Sequence, residues 1–196
     1  MRHQFSQQAI ESRNRLLQAS IYEFSHKGYD RAKVSDIVAR AGFTQRVFYI
    51  YFKSKEVLYN ELIDTWKYRA AAILPGSENA PREILPQDYL QVIQKRWEDI
   101  LIFMAEDPDL TRAAYFLSPK KEETRQFFLD AMRRSIQQEQ ANGNIRSDLS
   151  ADILAESIFS TLEGLALRYV LTGRLTPRSA AAQLTELYIN GTKPNV

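Results

Sequence analysis

The sequence predicts an all-α fold of about nine helices, in which a three-helix head is followed by a larger helical bundle body. Three observations carry this expectation. Apolar residues recur three and four positions apart along most of the chain, the repeat of helices with one buried face. Start and stop signals punctuate that repeat. Asp107-Pro108, Ser118-Pro119 and Thr176-Pro177 place a capping residue before a first-turn proline, and Gly28, Gly42, Asn142-Gly143, Gly173 and Gly191 follow the last apolar positions of segments. No alternating apolar and polar run of useful length argues for a strand.

The first helix is expected from Gln7 to Lys27, with Leu17, Ile21 and Phe24 at i, i+4 and i+7, Leu16 alongside, and Gly28 as its stop. Arg13 and Arg15 read as a solvated face. The second helix spans Val34 to Ala41, with Val34, Ile37, Val38 and Ala41 on one apolar side, and ends at Gly42 in the left-handed conformation that glycine adopts cheaply. After the apolar plug Phe43, Thr44 is placed to cap a third helix through its hydroxyl. In that helix Val47, Phe48 and Phe52 fall near one face. Ser54 caps the fourth helix, which runs through Leu58, Leu62, Ile63, Trp66 and Ala70 toward Ile73. The stretch PGSENAPREILP at 75–86 is the only linker-like segment.

The body follows. Gln87 to Met104 carries a stripe of Tyr89, Val92, Ile93, Trp97, Ile100, Leu101 and Met104. A short helix after Pro108 runs through Leu110, Ala114 and Leu117, and a long one after Pro119 through Phe127, Phe128, Ala131, Met132 and Ile136. The last two are expected at about Ser150–Thr172 and Pro177–Asn190.

Two short helices around a glycine corner, the second with polar tips, fit a helix-turn-helix whose second helix lies in the major groove of DNA. Gln45 and Arg46 are the side chains for base edges, since arginine pairs well with guanine and glutamine with adenine. Lys33, Tyr49, Tyr51, Lys53 and Lys55 suit phosphates, and Val34, Thr44 and Val47 complete the candidate contact set.

On these residues the stretch resembles the DNA-binding domain of the TetR family of transcriptional regulators. The family pattern is roughly Ile-Ala-x-x-Ala-Gly-Val-Ser, then Tyr-x-Tyr-Phe-x-Ser-Lys-Glu. This chain has Ile37-Val38, Ala41-Gly42-Phe43-Thr44, and then Tyr49-Ile50-Tyr51-Phe52-Lys53-Ser54-Lys55-Glu56. It departs from the pattern at Ala32-Lys33, where the family usually has a threonine, and at Arg46-Val47, where the family usually has Gly-Thr. Arg46 is therefore the base reader expected to be particular to this protein. Expected domains are 7–53 for DNA binding and 54–196 for effector binding and dimerisation.

Composition fits. Residues 1–55 hold ten Lys and Arg against four Asp and Glu, a net of +6; the rest holds sixteen against twenty, a net of −4, giving the overall +2. A basic N-terminal third faces a polyanion in such a reading. Cysteine is absent, which excludes disulfides, thiolate metal sites and thiol chemistry. The polar start MRHQFSQQAIESR reads as no signal peptide, and no stretch approaches the roughly 20 apolar residues of a membrane span, so a cytoplasmic location is expected. The only histidines, His3 and His26, form no cluster, and acidic groups such as Glu106-Asp107-Asp109 and Glu122-Glu123 lie at helix starts, where they offset the macrodipole. No catalytic residue, metal or cofactor is expected.

The resemblance also implies a homodimer on a pseudo-palindromic operator, an effector enclosed by the middle helices, and repression as the outcome. The last two helices would pair with their copies; Ile158, Leu162, Leu165, Tyr169, Leu184, Leu187 and Tyr188 are the candidate interface. Candidates to line the pocket are Trp66, Trp97, Phe103, Met104, Tyr115, Phe116, Phe128, Met132 and Phe159, with Arg96, Arg112 or Arg125 as polar anchors, which suits a small apolar or aromatic effector. Plain core packing is the competing reading of those aromatics. Two other functions stay open: a regulator triggered by a protein partner, and a helical carrier or enzyme with a vestigial head.

Overall fold

The computed structural model describes residues 7–74 and 88–192, with side chains as far as Ile189. The expected 75–86 linker and His3 lie outside the described residues. Those residues form nine α-helices and two short π-helical segments and no strand: α1 Gln7–Arg31, α2 Val34–Ala41, α3 Gln45–Tyr51, α4 Lys55–Ala71, α5 Tyr89–Glu106, α6 Pro108–Thr111, α7 Lys121–Ala141, α8 Ala151–Leu165 and α9 Pro177–Thr192. The π segments are Arg112–Phe116 and Ala166–Val170. Packing divides the chain into two compact units. One is Met1–Lys67 with Asp109–Lys121, and the other is Tyr68–Pro108 with Glu122–Val196.

In the first unit, α1 breaks at Gly28, whose φ of 75° and ψ of 164° lie outside helical space, as the sequence predicts for the stop after Lys27. Its buried face is centred on Leu16 rather than Leu17; Leu16 and Phe24 are fully enclosed and Leu17 is half-buried. Ile37, Val38 and Ala41 bury one side of α2 against α1. Phe48 and Phe52 close the core beneath α3, their ring centres 5.6 Å apart. Burial of each such side chain contributes on the order of 1.5–3 kcal/mol. Ser54 caps α4, its hydroxyl accepting the Val57 amide at 3.1 Å.

This unit is larger than the 7–53 segment expected, because α4 and a piece from further along the chain complete its core. The Trp66 indole stacks on Tyr115 at 5.7 Å and donates to the Thr111 hydroxyl at 3.3 Å. The Tyr59 hydroxyl donates to the buried Ala113 carbonyl at 3.0 Å. These bonds engage the first π segment, where the Leu117 amide reaches back five residues to the Arg112 carbonyl. A π turn follows from one extra residue in a helix, and apolar spacing does not announce it. Leu117, expected on an apolar face, is exposed.

In the second unit α5 packs along α9, and Trp97 meets Tyr188 edge to face with ring centres 6.1 Å apart. Phe128 of α7 stacks on Phe159 of α8 at 5.6 Å. Arg125 of α7 donates to Glu163 and Glu156 of α8, clamping the two helices from the outside. Left-handed Gly143 and Gly173 end the segments they were expected to end. The π segment after α8 was not anticipated, α7 starts at Lys121 rather than at Pro119, and α9 runs through Gly191 to Thr192.

Candidate functional site

The corner between α2 and α3 is fixed by its backbone. Gly42 sits at φ 70° and ψ 35°; its amide donates to the Ala39 carbonyl at 3.2 Å, and the Phe43 amide to the Val38 carbonyl at 2.8 Å. This pair of bonds is the Schellman closure of a helix. Arg15 reaches across from α1, donates to the Ala41 carbonyl at 2.6 Å and lies 4.6 Å over the Phe43 ring. A Cβ on Gly42 would come within 2.9 Å of that guanidinium. Thr44 stands at the start of α3 in extended conformation, but its hydroxyl makes no cap bond, contrary to expectation; the first-turn amides bond to its carbonyl instead.

Buried Phe48 divides the surface of α3 from the core, and Gln45, Arg46, Tyr49 and Ile50 are exposed. Tyr49 is 56 % and Ile50 69 % accessible. Gln45 with Tyr49 and Arg46 with Ile50 are four apart, neighbours on a helix surface. Ile50 was not singled out in the sequence. The signal was there, because an isoleucine among Tyr49, Tyr51 and the core residues Phe48 and Phe52 falls on the outer arc. Such an apolar side chain suits the thymine methyl in the major groove. Val34, Val47 and Tyr51 are half-buried supports, and Lys33, Thr44 and Lys53 are exposed.

The basic residues sort into two groups. The side chains of Lys33, Arg46 and Lys53 make no hydrogen bond or ion pair with a described residue. The others are engaged. Arg13 pairs with Glu61 at 2.5 Å and lies over Phe52. Glu23, 3 % accessible, pairs with Lys27 and Arg40 at 2.7 Å each. Burial pushes the Glu23 carboxyl up, but its bonds to Lys27 and Arg40 outweigh that and hold it below its usual range. Lys55 belongs to this second group: its amine donates to the carbonyls of Tyr29 at 2.8 Å and Ala32 at 3.0 Å. These bonds commit two of its three ammonium donors to the backbone at the end of α1, which makes Lys33 and Lys53 the freer candidates for phosphates.

The second unit contains a cavity of about 620 Å³, its open mouth included, between α5, α7, α8 and α9. Of the residues expected at a pocket, Trp97, Met132 and Arg96 line it. The others are elsewhere. Trp66, Tyr115 and Phe116 belong to the first unit. Phe128 and Phe159 stack on each other in the core, Phe103 lies under Arg69, and Met104 is buried. Arg112 pairs with Asp109, and Arg125 with its two glutamates. The sequence reading favoured aromatics, whereas aliphatic Ile93, Ile100, Ile136, Ile145, Leu154 and Ile189 supply most of the wall, and Tyr89, Ser135 and Glu139 its polar part.

Ile158 and Tyr188, expected at a subunit interface, line this cavity too. The Tyr188 hydroxyl is bonded to those of Ser157 and Thr161. Leu162 and Leu184 are enclosed within the protomer and Leu165 is half-buried, so Ile158, Leu162 and Leu184 are spent on the protomer's own core, where α8 and α9 each bury one face. Tyr169 and Leu187 remain outside, the latter 68 % accessible, and Ile153 and Leu167 of the same apolar-rich stretch are exposed as well.

Among the described residues no helix is long and apolar enough to cross a membrane, and no group of three His, Cys, Asp or Glu side chains converges. The family model for bacterial regulatory proteins of the tetR family matches residues 16–62, the stretch from α1 into α4. The chain is 36 % identical over 185 residues to the helix-turn-helix type transcriptional regulator YdgC of Bacillus subtilis, covering 94 % of each protein. It is 23 % identical over 192 residues to the transcriptional repressor KstR2 of Mycolicibacterium smegmatis, covering 94 % of this chain and 92 % of the repressor. A crystallised TetR-like regulator from Rhodococcus sp. RHA1 superposes with a TM-score of 0.72 at 18 % identity, over 92 % of this chain and 94 % of its own. With the glycine corner, the exposed face of α3 and the full-length likeness to YdgC together, the chain belongs to the TetR family of DNA-binding transcriptional regulators.

Proposed function

We propose that this regulator is a ligand-responsive repressor that binds a pseudo-palindromic operator as a homodimer. The observation that carries the reading is the exposed row of Gln45, Arg46, Tyr49 and Ile50 on a helix whose other side is sealed by Phe48. Arg46 and Gln45 read base edges, Ile50 meets a thymine methyl, and Lys33 and Lys53 hold phosphates. Two copies place their recognition helices about 34–36 Å apart, one turn of DNA. Repression is favoured by the likeness to a repressor over nearly the whole chain. The exposed apolar side chains of Leu187, Tyr169, Ile153 and Leu167 on the last two helices and the segment between them support the homodimer, since large apolar groups left in water favour association.

The cavity between α5 and α9 is the proposed effector site. An effector that binds better to the conformation unable to hold DNA draws the population toward it and releases the operator. No part of this scheme needs a catalytic group or cofactor.

Selection of bound sequences from a random duplex pool at about 150 mM salt tests the reading. The expected result is an enriched pseudo-palindrome with half-sites one helical turn apart. Failure of a folded dimer to enrich any sequence would remove direct readout by α3, and enrichment of a single unrepeated half-site would remove the dimer.

A further inference from the structure

The cavity in the second unit is mostly aliphatic, yet it holds one arginine. Both Nε and one terminal nitrogen of Arg96 are buried without a hydrogen-bond partner among the described residues. Two buried, unpaired nitrogens on a half-buried cation are costly, and native structures rarely retain them without a purpose. The burial itself draws the guanidinium below its ordinary range, while Glu139 and Tyr89 act in the opposite direction. These three residues share one end of the electrostatic environment and all line the cavity.

We infer that the effector is a slender apolar molecule bearing a single carboxylate, which pairs with Arg96 while its hydrocarbon body lies against Ile93, Trp97, Ile100 and Ile136. The inference rests on the effector-site reading above and names the chemistry of that site. A carboxylate accepts charge-assisted N–H bonds from a guanidinium, and Nε and Nη1 of Arg96 are two buried donors that no described residue occupies. Glu139 sharpens the choice. One of its oxygens already accepts the Asn144 amide at 2.8 Å, and its charge opposes a dianionic head such as a phosphate. An amine would meet the Arg96 charge. A neutral alcohol would accept from Arg96 without the charge assistance that a carboxylate brings.

The test uses purified full-length protein with butyrate, octanoate and dodecanoate as probes, matched against octanol and octylamine, and titration calorimetry as the readout. One of the carboxylates should bind about tenfold to a hundredfold more tightly than the neutral or cationic chain of its length. Arg96→Met, which keeps the side-chain bulk, should abolish that preference, and Arg96→Lys should retain part of it. Thermal melting of the free variants keeps the result interpretable: Arg96→Met leaves buried Glu139 without its nearby cation and should melt below the wild type, so the variants are compared only at temperatures where both remain folded. Equal binding of octanol and octanoate, a preference for octylamine, no binding by any carboxylate, or a carboxylate preference that survives Arg96→Met would each overturn the inference. Operator binding is measured alongside. Octanoate that binds as expected but leaves the operator bound would sink the ligand-responsive reading and spare the assignment of the site. Operator release by octanol as readily as by octanoate would do the reverse.

Discussion

The ammonium group of Lys55 lies 2.8 Å from the carbonyl oxygen of Tyr29 and 4.2 Å from the centre of the Tyr29 ring. Four residues after α3, this lysine staples the start of α4 to the end of α1. Lys55→Met is expected to lower the stability of the head by about 1–3 kcal/mol, the range for losing hydrogen bonds from a charged donor. The salt dependence of operator binding should be unchanged, whereas Lys53→Ala should make its slope shallower by about one ion. Denaturant melts and binding isotherms over a salt series separate the two lysines.

Arg46→Ala should weaken the selected operator about tenfold to a hundredfold and relax preference at one position of each half-site, with random DNA bound nearly as before. Ile50→Ala, four residues on, should relax a neighbouring thymine by a smaller factor. Repeating the sequence selection with each variant shows which position opens. Equal losses on operator and random DNA for Arg46→Ala would remove it as a base reader.

The Glu23 carboxylate predicts an acid limit for the head. Its folded pKa is depressed by Lys27 and Arg40 despite burial, and that of Asp36 is depressed chiefly by its bond to Lys27. Groups lowered on folding contribute stability that is present above the ordinary carboxylate range and is lost as pH falls through the folded values. Unfolding should therefore become easier below about pH 4.5. Glu23→Gln should cost about 1–2 kcal/mol at neutral pH, a figure moderated by the solvent that reaches Lys27 and Arg40. It should also flatten the acid limb of a stability–pH profile.

Tyr59→Phe should leave the buried Ala113 carbonyl without its donor at a cost of about 1–2 kcal/mol, and Trp66→Ala should cost about 3–5 kcal/mol through the cavity it opens. Both should raise amide exchange across Arg112–Phe116 before they affect α2 and α3. Uniform loss of protection through the head would contradict this.

The helix order and the glycine stops were legible because each rests on local chemistry: an apolar repeat, a proline at a first turn, a residue with positive φ. The outward face of α3 was legible for the same reason, since a seven-residue helix sealed by Phe48 has little freedom to rotate. The structural bonds of Lys55 were not legible, because an exposed-looking lysine in a basic motif gives no sign that two carbonyls await it 23 and 26 residues earlier. The cavity was misread for a different reason. Large aromatics draw attention, but Phe128 and Phe159, or Trp66 and Tyr115, satisfy one another by stacking, and the open space falls where isoleucines leave it. Ile158 sits on α8, which buries Leu154 and Leu162 but exposes Ile153, and periodicity alone does not say which apolar face turns inward.

The chain passes between its two compact units three times, after Lys67, after Pro108 and after Lys121. A DNA-binding head cut from this protein by truncation after α4 would leave out Asp109–Lys121 and strip Trp66 and Tyr59 of their cover. Grafting the operator specificity of this regulator onto another one therefore calls for transplanting two separate stretches of sequence together, and a recombination event with a single crossover would yield a chimera with an open wound in its core.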